Sequence, residues 1–167
     1  MRLIILSLLF SLMGCDRQPP EENAAKRILK AANGGDFRGV NIGDKARDVK
    51  LKEDAASVYS MPDELVYRIS PDDEDSTWYE ISYNFNEAGL YDISLDVYPK
   101  DTDEVRVLRN TFITHYIEKY GDCKFYNGYC QWRAMTENGH IVSITLADSL
   151  LQSPRPRLRV NFNESDH

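Results

Sequence analysis

Two segments alternate so regularly that they leave little choice of backbone. Ile81, Tyr83 and Phe85 take every second position within Trp78–Phe85, and Ile93, Leu95 and Val97 do the same within Leu90–Tyr98. Successive strand side chains point to opposite faces, so this period of two predicts two strands, each with one buried side. Asn86-Glu87-Ala88-Gly89 supplies the turn between them, which makes an antiparallel hairpin. A lone hairpin is marginal in water. The rest of the chain must therefore cover its apolar face.

A strong helix signal comes next. Asp101 is expected to cap it, and Glu104, three residues on, completes a capping-box pattern. Val105, Leu108, Phe112, Ile113, Tyr116, Ile117 and Tyr120 form a broad apolar face, and Gly121 marks the stop. This helix is expected to lie over the sheet. More strands are expected over Leu65–Ile69, Gln131–Met135, His140–Leu146 and the alternating Leu158, Val160 and Phe162. Nearer the start, Glu21–Asn33 reads as a helix with a thin stripe of Ala25, Ile28, Leu29 and Ala32, suited either to docking or to spacing. Val40–Val49 reads as a strand ending at Ile42, a turn at Gly43, and a short helix capped by Asp44. Ten Tyr among 18 aromatic residues also suit a sheet. The fold class is α+β: an antiparallel β-sheet with helices packed on one face, with two helix-plus-three-strand halves as one arrangement. An internal echo supports the halves: Trp78 precedes Asn86–Leu95 much as Trp132 precedes Glu137–Leu146. Two hairpins needing similar turns would explain it equally well.

The first 15 residues carry a different signal. Arg2 is followed by the apolar run Leu3–Phe10, and the segment ends Leu12-Met13-Gly14-Cys15. A mature transmembrane helix needs about 20 residues, more than precede Cys15. A basic start, an apolar core and a small residue before the cut suit a secretory signal. The Leu-x-Gly-Cys ending resembles the lipobox of bacterial lipoproteins. The resemblance implies cleavage after Gly14 and lipidation (diacylglycerol, then palmitate-type acylation) of Cys15. The competing reading is an ordinary signal peptide, or a short buried element ending in Cys. Asp16 resembles the sorting residue that retains enteric-type lipoproteins at the inner membrane. It implies a domain on the periplasmic face of that membrane, with the outer membrane as the alternative. The expected organisation is a signal peptide over residues 1–14, a lipidated tether and short helix over 15–38, a single α+β domain over 39–163, and a polar tail over 164–167.

The whole chain carries a formal charge of −7. Losing residues 1–14 removes Arg2 and no acid, leaving 19 basic against 27 acidic residues, or −8. That balance argues against nucleic acid and anionic lipid as general partners. Arg155-Pro156-Arg157-Leu158-Arg159 is a candidate local basic patch. The run Pro71–Asp75 is acidic but lacks the alternating ligands and central Gly of a calcium loop, and reads as a solvated hairpin tip.

With Cys15 assigned to lipid, Cys123 and Cys130 remain as an even pair in an oxidising compartment. Asn127-Gly128 between them is a strong turn signal. A four-residue loop over Phe125–Gly128 would set Cys123 opposite Cys130, and a disulfide would close the hairpin base. So short a ring would stabilise by about 2–3 kcal/mol. A two-residue turn at Asn127-Gly128 would instead pair Cys130 with Phe125 and put the bridge out of register.

Ile42-Gly43-Asp44 with Val49, then Pro62, then Trp78–Val97 with Phe85 and Gly89-Leu90, resembles the plan of the SmpA/OmlA-like envelope lipoproteins. Met61-Pro62 stands where that plan has Gly-x-Pro. The match covers roughly residues 40 to 97. It implies the β-lactamase-inhibitor-protein architecture, with helices on one face of an antiparallel sheet, and an accessory role in an envelope assembly.

Nothing in the sequence marks an enzyme. There is no Gly-x-Ser-x-Gly elbow, His-Glu-x-x-His, phosphate loop or dinucleotide fingerprint. His115 with Glu118 three residues on could relay protons or bind metal, but suits a boundary His beside a surface acid; His140 is expected to be exposed, and His167 is terminal. No catalytic residue, metal ligand or cofactor is expected. Trp78, Tyr83, Tyr129 and Trp132 are the candidates for contact with a partner, because Tyr and Trp carry much interface energy. Two functions fit: a tethered accessory or adaptor subunit binding an envelope protein, or an inhibitor or immunity-type protein. An acidic, aromatic concave face would favour the inhibitor, a flat apolar patch on a sheet edge the adaptor, and a deep cleft with convergent His and acid side chains an enzyme.

Overall fold

The structure, a computed structural model, describes residues 24–53, 55–70, 77–149 and 156–165. Cys15, Asp16, the acidic run and Arg155 lie outside the described residues. The fold mixes helix and sheet. Among the described residues, three α-helices, α1 (Ala24–Leu29), α2 (Ala46–Lys52) and α3 (Thr102–Tyr120), accompany eight strands. The strands are β1 (Tyr59–Ser60), β2 (Glu64–Ile69), β3 (Trp78–Phe85), β4 (Leu90–Tyr98), β5 (Lys124–Tyr126), β6 (Tyr129–Met135), β7 (Ile141–Asp148) and β8 (Leu158–Glu164). They form one antiparallel sheet in the order β1-β2-β3-β4-β8-β7-β6-β5.

That order is symmetric about the β4–β8 pair. Each half is a helix followed by four strands, α2 with β1–β4 and α3 with β5–β8, one strand more than expected. The extra members are the short edge strands β1 and β5. The symmetry also decides the internal echo. Placing β4 on β8 matches the β3–β4 hairpin to β7–β8, whereas the echo matches it to β6–β7. The two stretches are alike because both hairpins need a turn, not because they are equivalent strands.

Burial follows the alternation. Tyr79, Ile81, Tyr83 and Phe85 of β3 are buried, and so are Ile93, Leu95 and Val97 of β4 and Leu158, Val160 and Phe162 of β8. The opposite parity is half-exposed or exposed along all three strands except at Leu90, which is buried where the β3–β4 register shifts. Helix α3 packs on the buried side. Its Tyr116 ring meets Trp132 and Phe162 edge-on at 5.6 Å each. Val105, Leu108, Phe112 and Tyr116 are its buried residues, while Ile117 is left 37% exposed. Asp101 caps α3 by accepting the Glu104 amide at 2.8 Å. Glu104 reaches back to the Lys100 amide at 3.0 Å, one residue beyond the usual capping box.

The start of the domain departs from expectation. Helix α1 stops at Leu29 because Lys30 takes a positive φ of 42°, and a 3-10 turn over Ala31–Asn33 follows. Ala25, Ile28 and Leu29 belong to the main core, so this helix docks on the domain. The strand expected to end at Ile42 reduces to an isolated bridge between Phe37 and Val40. Asp44 does not cap α2; Lys45 occupies that place without a side-chain bond. Asp44 instead accepts from the Asn41 amide at 2.8 Å and from Lys52 Nζ at 2.6 Å.

Candidate functional site

The four candidate contact residues separate by strand parity. Tyr83 is fully buried and donates its hydroxyl to Glu53 Oε1. Trp132 is buried too, with its indole N–H bonded to the Gly121 carbonyl at 3.0 Å. Both are core residues, which takes them off the candidate surface. Trp78 and Tyr129 are half-exposed and lie towards opposite ends of the other face.

That exposed face is polar in the middle. One row across five neighbouring strands reads Ser82, Ser94, Asn161, Thr145 and Gln131. At one end Trp78 stacks on Tyr98 with ring centroids 3.9 Å apart and planes 10° apart. Arg68 lies over the Trp78 ring at 5.6 Å and Arg157 over Tyr98 at 5.7 Å, so two aromatics sit between two guanidinium groups. The acids here are already paired: Glu80 with Arg68 at 2.7 Å, and Asp96 with Arg157 and Arg159 at 2.5 and 2.7 Å. Of the basic patch expected over Arg155–Arg159, Arg157 and Arg159 share the single carboxylate of Asp96.

Large exposed apolar residues occur at both sheet edges, as well as on α2 (Leu51), α3 (Val107, Ile117) and the ends of β4 and β6 (Tyr91, Met135). Val58, Tyr59 and Met61 flank or form β1, with exposures of 59%, 47% and 49%. At the other edge, Phe125 and Tyr126 of β5 are 66% and 59% exposed. The β5–β6 register is Phe125 opposite Cys130 and Tyr126 opposite Tyr129, which gives a two-residue turn at Asn127-Gly128. Asn127 and Gly128 take φ of 45° and 89°, the left-handed conformations a tight hairpin turn uses. The four-residue loop is therefore corrected. Adjacent residues of β5 point to opposite faces. Phe125 packs against Arg109 of α3 at 5.7 Å, and Tyr126 meets Tyr129 at 5.8 Å.

The same register corrects the picture of Cys123 and Cys130. Both are free thiols, and Phe125 rather than Cys123 stands opposite Cys130. The two thiols lie diagonally across the hairpin, near enough for Cys123 to bear on the ionisation of Cys130. Burial, then the contact with Cys123, holds the Cys130 thiol well above its ordinary value. Cys123 is partly buried against the core.

The histidines divide differently from expectation. His140 is half-buried, its Nδ1 2.6 Å from Glu164 Oε1. Its Nε2 crowds Gly43, where an added Cβ would lie 2.7 Å away. Sequence reasoning left His140 in solvent because Glu164, 24 positions away, comes beside it only through the β7–β8 pairing. His115 packs edge-on against Tyr116 at 5.1 Å and lines a cleft of about 1130 Å³ between α1 and α3. Burial, then Lys119, pushes its pKa below the ordinary value, while Glu118 acts the other way. His115 and Glu118 share that cleft without a bond to each other. Among the described residues no group of three His, Cys, Asp or Glu could hold a metal ion. Among them, no helix is long and apolar enough to cross a membrane.

Comparison with protein-family models, curated proteins and solved structures finds no match to this chain.

Proposed function

We propose that this chain is a lipid-anchored protein of the bacterial envelope, tethered through Cys15, that serves as a non-enzymatic accessory subunit by binding another envelope protein. Asp16 places it on the periplasmic face of the inner membrane in this reading. The helices cover one face of the sheet and leave its edges for recognition. The observation that carries the proposal is the β5 edge, where Phe125 and Tyr126 stand 66% and 59% exposed on an outermost strand. Edge strands are ordinarily blunted by charge, proline or cover, because their unpaired backbone groups template pairing with another chain. The β5 edge is short and carries Lys124, yet beside it displays one aromatic on each face. A partner strand added to β5 would gain backbone hydrogen bonds and two aromatic contacts together. The inhibitor reading ranks lower, since the acids Glu80 and Asp96 beside the stacked aromatics are already neutralised by arginines.

The test is site-specific photocrosslinking. A benzoyl-phenylalanine at position 125 of the membrane-bound full-length chain is expected to capture one discrete envelope protein, identifiable by mass spectrometry. Tyr126→Lys should weaken that capture. A probe at 125 that captures nothing, while one at exposed Val107 on α3 captures a discrete protein, would remove the edge from consideration.

A further inference from the structure

The cleft between α1 and α3 has a chemistry that the protein-binding role does not use. Its floor is apolar, formed by Leu29, Ile69 and Tyr79. One wall carries Lys26, Arg27 and Lys30, all from or just after α1. The facing wall on α3 offers the neutral side chains of Asn110, Thr111 and Thr114. Lys26 and Arg27 are exposed, and neither is paired with an acid among the described residues.

The local charge runs against the chain as a whole. Two exposed cations of α1, Lys26 and Arg27, meet one carboxylate of the lining, Glu118, in a protein whose formal charge is −7. Arg38, also in the lining, is neutralised by Glu53 at 2.8 Å. A solvated face would hold these lysines and arginines equally well. It would not set them along a concave apolar floor. The volume, about 1130 Å³, lies at the upper end of the usual range for small-molecule sites, roughly 300–1,000 Å³. The cations select for negative charge, and the Leu29–Ile69–Tyr79 floor selects for a hydrocarbon body. The neutral amide and hydroxyls opposite can bond head-group oxygens without repelling them.

We infer that the α1–α3 cleft is a binding site for a single-chain anionic amphiphile, its phosphate or carboxylate head held by Lys26 and Arg27 and its chain lying on Leu29, Ile69 and Tyr79. This is a local exception to the aversion for anionic lipid that the net charge implies. It stands independently of the β5 edge, which lies at the far side of the sheet from β2 and β3.

The test uses the full-length chain in nanodiscs of neutral phosphatidylcholine, titrated with octyl phosphate and followed by the phosphorus NMR linewidth against protein-free discs. Saturable broadening from the protein is expected. Lys26→Gln with Arg27→Gln should weaken it at least fivefold; both residues are exposed, so the fold should survive, as circular dichroism can check. Ala55→Trp, which fills the cleft from its lining, should abolish it. Inorganic phosphate should broaden little, and neutral octyl glucoside should not compete at equal concentration. No broadening beyond that of empty discs would overturn the inference. So would equal broadening by inorganic phosphate, or an unchanged titration in the double variant.

Discussion

Arg38 and Glu53 meet in the core as a two-bonded pair, Nε to Oε1 at 2.9 Å and Nη2 to Oε2 at 2.8 Å, with side-chain exposures of 1% and 0%. Arg38 Nη1 also bonds the Arg27 and Ile28 carbonyls at 3.0 and 2.8 Å, so one side chain ties the end of α1 to the end of α2. Burial alone would lower the Arg38 pKa, but bonding to Glu53 outweighs it and keeps the guanidinium charged. A buried charge left without its partner costs about 3–5 kcal/mol. Glu53→Ala should therefore destabilise by about that much in urea unfolding. Arg38→Met with Glu53→Leu should recover most of the loss. Equal loss in single and double variants would mean that the pair is not the unit that matters.

Gly89 is required by a close approach, not only by its turn. The Gly43 amide bonds the Leu90 carbonyl at 2.7 Å, and the Leu90 amide bonds the Asp44 carbonyl at 2.9 Å. An added Cβ at Gly89 would collide with the Gly43 carbonyl oxygen, and its φ is +140°. Gly89→Ala should cost about 1–3 kcal/mol. Gly139→Ala, where an added Cβ meets open space, should cost less, through its φ of 84° alone. A smaller loss at 89 than at 139 in thermal melts would refute the docking of these two segments.

His115 makes stability depend on pH with a definite sign. Its folded pKa lies below the ordinary 6.5 because burial, then Lys119, disfavours the charged ring. Between the lowered value and 6.5 the unfolded chain binds the extra proton. Stability should thus be fully present above about pH 6.5 and decline as pH falls below it. His115→Gln should flatten that part of the curve. An unchanged slope in denaturant titrations from pH 7.5 to 5 would show that another group governs it.

The two thiols should differ in reactivity before they combine. Cys130 is fully buried and burial disfavours its thiolate, whereas Cys123 is half-buried. Brief alkylation of the reduced protein at neutral pH should mark Cys123 first. Oxidised glutathione, taking up two electrons and the two thiol protons to leave as two reduced molecules, should close a Cys123–Cys130 bond only as Cys123 swings across from its diagonal position. That bond should add about 2–3 kcal/mol. Peptide mapping that recovers both residues alkylatable after oxidation would count against it.

The elements with a strong local signal were the ones the sequence made legible. The β3–β4 alternation, the Asp101 cap and the Gly121 stop reappear where the periodicity placed them. Edge strands were harder to read. β1 has two residues and β5 three, too few for a period to show. Tyr83 and Trp132 were singled out by residue type, but strand parity sent both inward. Trp78 was singled out on the same grounds and faces outward.

By itself, then, the sequence determined the long strands and the long helix α3, because a period there runs over enough neighbouring residues to show. It also determined that the chain needs a shared core, because no single hairpin or helix here can bury its own apolar face. Only the tertiary structure decided the rest. It joined β4 to β8, set the two-residue turn that puts Phe125 opposite Cys130, and buried Arg38 against Glu53. It also brought the cations of α1 beside α3. Those are contacts between residues far apart in the chain, and their energies appear only when the whole core closes.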